Sequence, residues 1–158
     1  GAAKGLLEPL LETGIAELVI ANRTTGRALA LATLGETLRA AQGWEWGKVR
    51  GGGLDELEGD GFDLIINATS AGLGGSLPEI PDGCLAPGGW TYDLVYGDRV
   101  TAFCLWGQDL GATRVLDGLG MLVEQAAESF WLWRGVRPGT APVIAGLRDG
   151  TLCLTDGA

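Results

Sequence analysis

Leu18-Val19-Ile20-Ala21-Asn22-Arg23-Thr24-Thr25-Gly26-Arg27 reads as a short apolar strand, Leu18 to Ala21, that stops at a polar turn carrying two arginines four positions apart. A strand opening onto a helix presents its C-terminal end to a ligand crevice, as strands of open α/β sheets do. A cofactor with a free ribose 2′-hydroxyl calls for Asp or Glu just past such a strand. Here Asn22, Arg23 and Thr24 occupy that place, and Arg27 follows one helical turn on. Two guanidiniums are forked donors suited to a phosphate dianion. The turn therefore predicts a 2′-phosphate, and hence NADP rather than NAD.

The rest of the chain supplies the frame for such a turn. Its 158 residues, 46% hydrophobic and 20% charged, suit one globular α/β domain with a real core. A net charge of −9 argues against a nucleic-acid surface, so an arginine pair reads as a local phosphate pocket. No apolar run approaches the roughly 20 residues of a membrane helix, and no signal peptide opens the chain. Cys84, Cys104 and Cys153 form no CxxC pair and read as small hydrophobes of a reducing cytoplasm. Histidine is absent, which excludes a Ser-His-Asp triad or a His-ligated metal within these residues. Composition leaves monomer and homodimer both open.

Strand and helix patterns alternate along the chain, predicting a doubly wound parallel sheet. A first helix is expected over residues 2–13, with Leu6, Leu7, Leu10 and Leu11 on one face, a kink at Pro9 and a stop at Gly14. A helix over residues 26–39 should bury Ala28, Leu29, Leu31 and Leu34. Residues 43–53 suggest a short strand ending in a glycine loop. Residues 62–67 predict a buried strand leaving into the loop 68–72. Residues 77–89, with three prolines, read as irregular; residues 90–96 form a strand, 100–110 a helix, and 113–116 a last strand. Helices over 121–134 and 140–148 close the domain. Trp131 and Trp133 flank a helix end, so at least one should be exposed or at an interface. No strand precedes the first helix, so the chain looks cut within a strand–turn–helix unit.

Several positions carry two readings each. Gly1 to Gly5 is either the tail of a glycine-rich phosphate loop at a helix N-terminus or a plain small-residue helix start. Asn67, Thr69 and Ser70, at a strand exit, either hold a ribose or nicotinamide or merely close a turn. Tyr96 can reach a bound small molecule or sit on the rim with its hydroxyl in water. Gln125 can aim an amide at a hydroxylated substrate or stand exposed on its helix.

Taken in order, Gly-Ala-Ala-Lys-Gly, Asn-Arg-Thr-x-x-Arg-Ala, Asn-Ala-Thr-Ser-Ala-Gly, Tyr-Asp-Leu-Val-Tyr-Gly and Asp-Gly-Leu-Gly-Met-Leu-Val-x-Gln-Ala-Ala strongly resemble shikimate dehydrogenase across residues 1–148. The resemblance implies NADP-dependent reduction of 3-dehydroshikimate to shikimate in aromatic amino-acid biosynthesis. It also implies a Rossmann-like fold with its first strand missing. Residues 1–150 would form the NADP-binding domain and 151–158 a tail, without the family's N-terminal substrate domain. Gly1 and Ala2 match the end of the family's phosphate loop. Asn22, Arg23, Thr24 and Arg27 match the turn that grips the 2′-phosphate, with Thr25 and Gly26 inside it. Asn67, Thr69 and Ser70 match the loop lining the cofactor. Leu94, where the family usually has Met, and Gly118 match positions near the nicotinamide. Tyr96 and Gln125 match residues that contact substrate. The family's catalytic Lys and Asp belong to the other domain, and Lys4 and Lys48 match neither, so the chain should not turn over alone. Alternatives are a quinate/shikimate dehydrogenase-like paralogue and a non-catalytic nucleotide-binding module.

Overall fold

The computed structural model describes residues 1–57, 59, 61–69, 77, 79–97 and 99–152. Helices α1 (Ala2–Gly5) and α2 (Leu7–Glu12) precede β1 (Glu17–Ala21), α3 (Thr25–Gln42) and β2 (Lys48–Gly52). After a 3₁₀ turn at Asp55–Leu57 come β3 (Phe62–Asn67), β4 (Leu85–Asp93), α4 (Ala102–Asp109), β5 (Arg114–Leu116), α5 (Leu119–Arg134) and α6 (Ala141–Arg148). The strands form two parallel ladders, β1–β2 and β3–β4–β5. Within each ladder the strand exits lie on a common edge: Ala21 beside Gly52, and Asn67 beside Asp93.

The N-terminal helix is two helices rather than one kinked at Pro9, the break falling at Leu6. Proline's ring excludes the carbonyl four residues back, here Gly5, so the interruption precedes the proline. Pro9 then occupies the first turn of α2, where its missing N–H is not needed. Leu7 and Leu11 are buried, and Trp46 donates its indole N–H to the Leu11 carbonyl at 2.8 Å. Trp44 and Trp46 stack in the loop before β2 rather than lying in a strand.

α3 buries Ala28, Ala32 and Gly35, while Leu29 and Leu34 are exposed, contrary to the leucine face expected. Close approach is the reason. A methyl at Gly51 of β2 would lie 2.6 Å from the Ala28 carbonyl oxygen, and one at Gly35 would lie 3.1 Å from Val49. Only small residues fit at that helix–sheet contact, so the leucines are displaced to its sides. Leu11, Ala32 and Val49 form this half's core, with Leu18, Ile20, Leu38 and Trp44 against them.

β4 begins five residues earlier and ends three earlier than the pattern of residues 90–96 suggested. Its register runs Phe62↔Leu85 and then Leu64↔Trp90, so the residues between Leu85 and Trp90 are absorbed in a bulge containing Pro87. β3 is less covered than expected: Leu64 and its partner Trp90 stay about 40% exposed (40% and 39%). Phe103, Cys104 and Thr91 lie buried where α4 covers β4. Phe130, Trp131, Leu132 and Trp133 at the end of α5 are exposed. Among the described residues, no helix is long and apolar enough to cross a membrane.

Candidate functional site

The sequence dictates a turn at the exit of β1 because Asn22 closes on itself. The Asn22 amide N–H donates to the Gly52 carbonyl at 3.2 Å, ending the ladder, and the Asn22 side-chain oxygen accepts the Thr24 N–H at 2.8 Å. An Asx turn of this kind directs the chain out of a strand. Thr24 is the N-cap of α3, with extended backbone and no side-chain capping bond. Thr24, Thr25 and Gly26 are exposed, at the positive end of an 18-residue helix whose first-turn amides have no partner within the helix. Arg23 and Arg27 are exposed, and neither makes an ion pair among the described residues.

An open cleft of about 480 Å³ lies at this turn. Arg23 and Thr25 line it from β1's exit, Gly53, Leu54 and Asp55 from β2's exit, and Glu79, Ile80 and Pro81 from the connection between β3 and β4. The far side of the cleft escaped sequence reading; the glycines 51–53 at and just past the end of β2 and a proline-rich stretch were its only signals. Glu56 does not face the cleft with a free carboxylate, since it accepts the Gly53 N–H at 2.8 Å.

The exits of β3, β4 and β5 form a second cluster. Asn67, buried, accepts the N–H and hydroxyl of Thr69 at 3.1 and 2.8 Å. Its amide N–H₂ donates to Asp93 at 3.0 Å. Asp93 also accepts the Val95 N–H at 3.1 Å, which turns the chain at that point and leaves Leu94 and Tyr96 in the exit loop. Gly118 donates to the Val95 carbonyl at 3.0 Å. A methyl on Gly118 would fall 2.7 Å from the Leu94 carbonyl carbon, and nearer still to its oxygen. Leu94 and Gly118, singled out separately in the sequence, are thus in backbone contact.

The remaining sequence-derived positions are less gathered. Gly1 is the N-cap of the four-residue α1 and Ala2 its first residue. Tyr96 is 41% exposed, and Gln125 stands on the exposed side of α5. Ser70 lies outside the described residues. Tyr92 entered the sequence reading only as the first residue of a motif; its half-buried phenol is pushed up by burial and by the Asp117 carboxylate. Burial likewise raises the Cys84 and Cys104 thiols, which keeps them protonated and unreactive. Among the described residues, no three His, Cys, Asp or Glu side chains gather as a metal site.

Parallel strands, helical crossovers and polar turns at the strand exits define a Rossmann-like α/β domain. Residues 118–148 match the family described as Shikimate 5′-dehydrogenase C-terminal domain. A shikimate dehydrogenase (NADP(+)) of Nitrosococcus oceani is 51% identical over 148 residues, which is 94% of this chain and 50% of that protein. Among solved structures, an Ael1 enzyme from Pseudomonas putida superposes with a TM-score of 0.74 at 42% identity, over 92% of this chain and 51% of that one. A shikimate 5-dehydrogenase from Thermus thermophilus in complex with NADP(H) and shikimate gives 0.68 at 29% identity, over 89% and 48%. The chain belongs to the shikimate dehydrogenase family, and it spans about half the length of these relatives.

Proposed function

We propose that residues 1–150 form the NADP-binding domain of a shikimate dehydrogenase, the part that binds NADPH for the reduction of 3-dehydroshikimate to shikimate. The observation that carries this is a pair of guanidiniums, Arg23 and Arg27, which make no ion pair among the described residues and flank the open N-terminus of α3 at the exit of β1. In a protein of net charge −9, two exposed cations at a helix N-terminus suit an anionic ligand. Asn22 fixes the turn, and Thr24, Thr25 and Gly26 offer hydroxyls and amides to the same phosphate. Gly1 and Ala2, at a helix start, would meet the pyrophosphate. Asn67, Thr69, Ser70, Leu94 and Gly118 would take the nicotinamide half, across the crevice from the adenosine half. Tyr96 and Gln125, both exposed, would meet the substrate.

When bound, NADPH supplies the hydride. The task of this chain is to hold and orient it. Titration of the chain with NADPH and NADH, followed by tryptophan fluorescence, tests the assignment. NADPH binds preferentially, and Arg23→Asp weakens NADPH by about tenfold to a hundredfold while changing NADH far less. An equal loss for both cofactors refutes the role of the turn.

A further inference from the structure

Asp93 is fully buried, with 0% exposure, and no lysine or arginine pairs with it among the described residues. A carboxylate so placed is tolerated only where hydrogen bonds replace water. Three do: the Asn67 amide N–H at 3.0 Å and the Val95 N–H at 3.1 Å reach Oδ1, and the Thr101 hydroxyl reaches Oδ2 at 2.6 Å. The direction of two of these bonds is forced by backbone donors: the Val95 N–H can only donate, and the Asn67 amide is oriented from its far end. Thr69 N–H must donate to Asn67 Oδ1, so the Asn67 amide nitrogen faces Asp93. Cys104 N–H donates to Thr101 Oγ1, which frees the Thr101 proton for Asp93. Asp93 thus accepts on every side, Oδ1 from two N–H groups and Oδ2 from the Thr101 hydroxyl, as a carboxylate does.

These bonds join the exit loop of β3 (Thr69), the exit loop of β4 (Val95) and the N-cap of α4 (Thr101). The Val95 carbonyl then accepts from Gly118, adding the exit of β5. We propose that Asp93 is a positioning residue that sets the relative placement of these three loops, and through them the site for the nicotinamide–ribose half of the cofactor. The proposal rests on the cofactor assignment above: a dinucleotide lying across the strand exits puts its two halves on the two ladders.

Adenosine 2′,5′-bisphosphate carries the phosphorylated adenosine end without the nicotinamide, so it separates the two halves. Asp93→Asn presents a donor where an acceptor is needed, and Thr101→Val deletes the hydroxyl at constant shape. Each weakens NADPH by about tenfold, the scale of one charged hydrogen bond, and leaves adenosine 2′,5′-bisphosphate within about twofold. Thr101→Ser, which keeps the hydroxyl, retains wild-type affinity for both. A general loss of structure would weaken both ligands equally. That result, or no change in either, overturns the positioning role. If Asp93→Asn does not fold, Thr101→Val and Thr101→Ser carry the comparison. Wild-type chain that binds the bisphosphate but not NADPH also overturns it. Wild-type chain that binds neither overturns the cofactor assignment itself.

Discussion

Gly118→Ala offers the sharpest test of how the site is built. Gly118 has φ −74°, an ordinary backbone conformation, so alanine there suffers no dihedral penalty. The obstacle is contact: the new methyl would lie 2.7 Å from the Leu94 carbonyl carbon and 3.3 Å from its Cα. Backbone atoms cannot rotate away as a side chain would. The turn entering α5 must withdraw from the β4 exit loop, and the 3.0 Å bond from Gly118 N–H to the Val95 carbonyl goes with it. Overpacking costs about 1–3 kcal/mol, and a lost hydrogen bond adds about 1 kcal/mol. The sum is about 2–4 kcal/mol, or roughly 4–16 °C in Tm for a domain of this size. Gly120→Ala is the control. It lies two residues further on, inside α5, with nothing within 4 Å of the added methyl, and it should gain about 0.5–1 kcal/mol. Urea unfolding followed by tryptophan emission measures both, and NADPH titration of the folded fraction reads the displaced loop. Gly118→Ala within about 0.5 kcal/mol of wild type, in the noise of a surface substitution, would show that the Leu94–Gly118 contact is not the constraint claimed.

Other expectations rest on separate features. Thr91 Oγ1 is buried without a hydrogen-bond partner among the described residues, so Thr91→Val should stabilise the domain by about 1 kcal/mol, and a loss in urea unfolding would contradict this. Glu36 accepts from Arg39 and from the Val49 N–H at 2.6 Å, and the Arg39 guanidinium, then that backbone bond, hold its carboxyl below the usual 4.5. A carboxyl lowered on folding stabilises above its unfolded pKa and loses that contribution as pH falls through the folded value. Wild type should therefore lose its advantage over Glu36→Gln as pH drops below about 4.5, read as converging melting curves; parallel curves would exclude the linkage.

What could be read in the residues and what could not divides along physical lines. The Asn22–Arg27 turn was legible because its determinants are local: an apolar strand, an Asx residue, two cations and a helix start. The positions of β3, β5 and the helices from α3 onward followed from periodicity for the same reason. The end of β4 was not legible, because Asp93 looks like one polar residue in an apolar run until Asn67 and Thr101 arrive from distant segments to receive it. The small-residue face of α3 was equally hidden. Leucines normally outrank alanines as core formers, and only the approach of Gly51 reverses the order. The break at Leu6 was half visible: Pro9 signalled it, but the clash acts four residues upstream.

The division of the strands into two ladders bears on how the domain comes together. β1 and β2, with α2 and α3, occupy one continuous stretch of chain, while β3, β4, β5 and α4 occupy the next. Each stretch has its own interior, around Leu11, Ala32 and Val49 in the first and Phe103, Cys104 and Thr91 in the second. Two consecutive segments that each bury their own side chains are natural cooperative units of partial unfolding. Amides of β2 and β3 should therefore exchange with solvent at separate opening free energies. Variants that keep only Trp44 and Trp46, or only Trp90 and Trp106, let tryptophan emission follow the first and second units apart. As the chain leaves the ribosome, the half bearing Arg23 can fold before the half bearing Asp93 has been made.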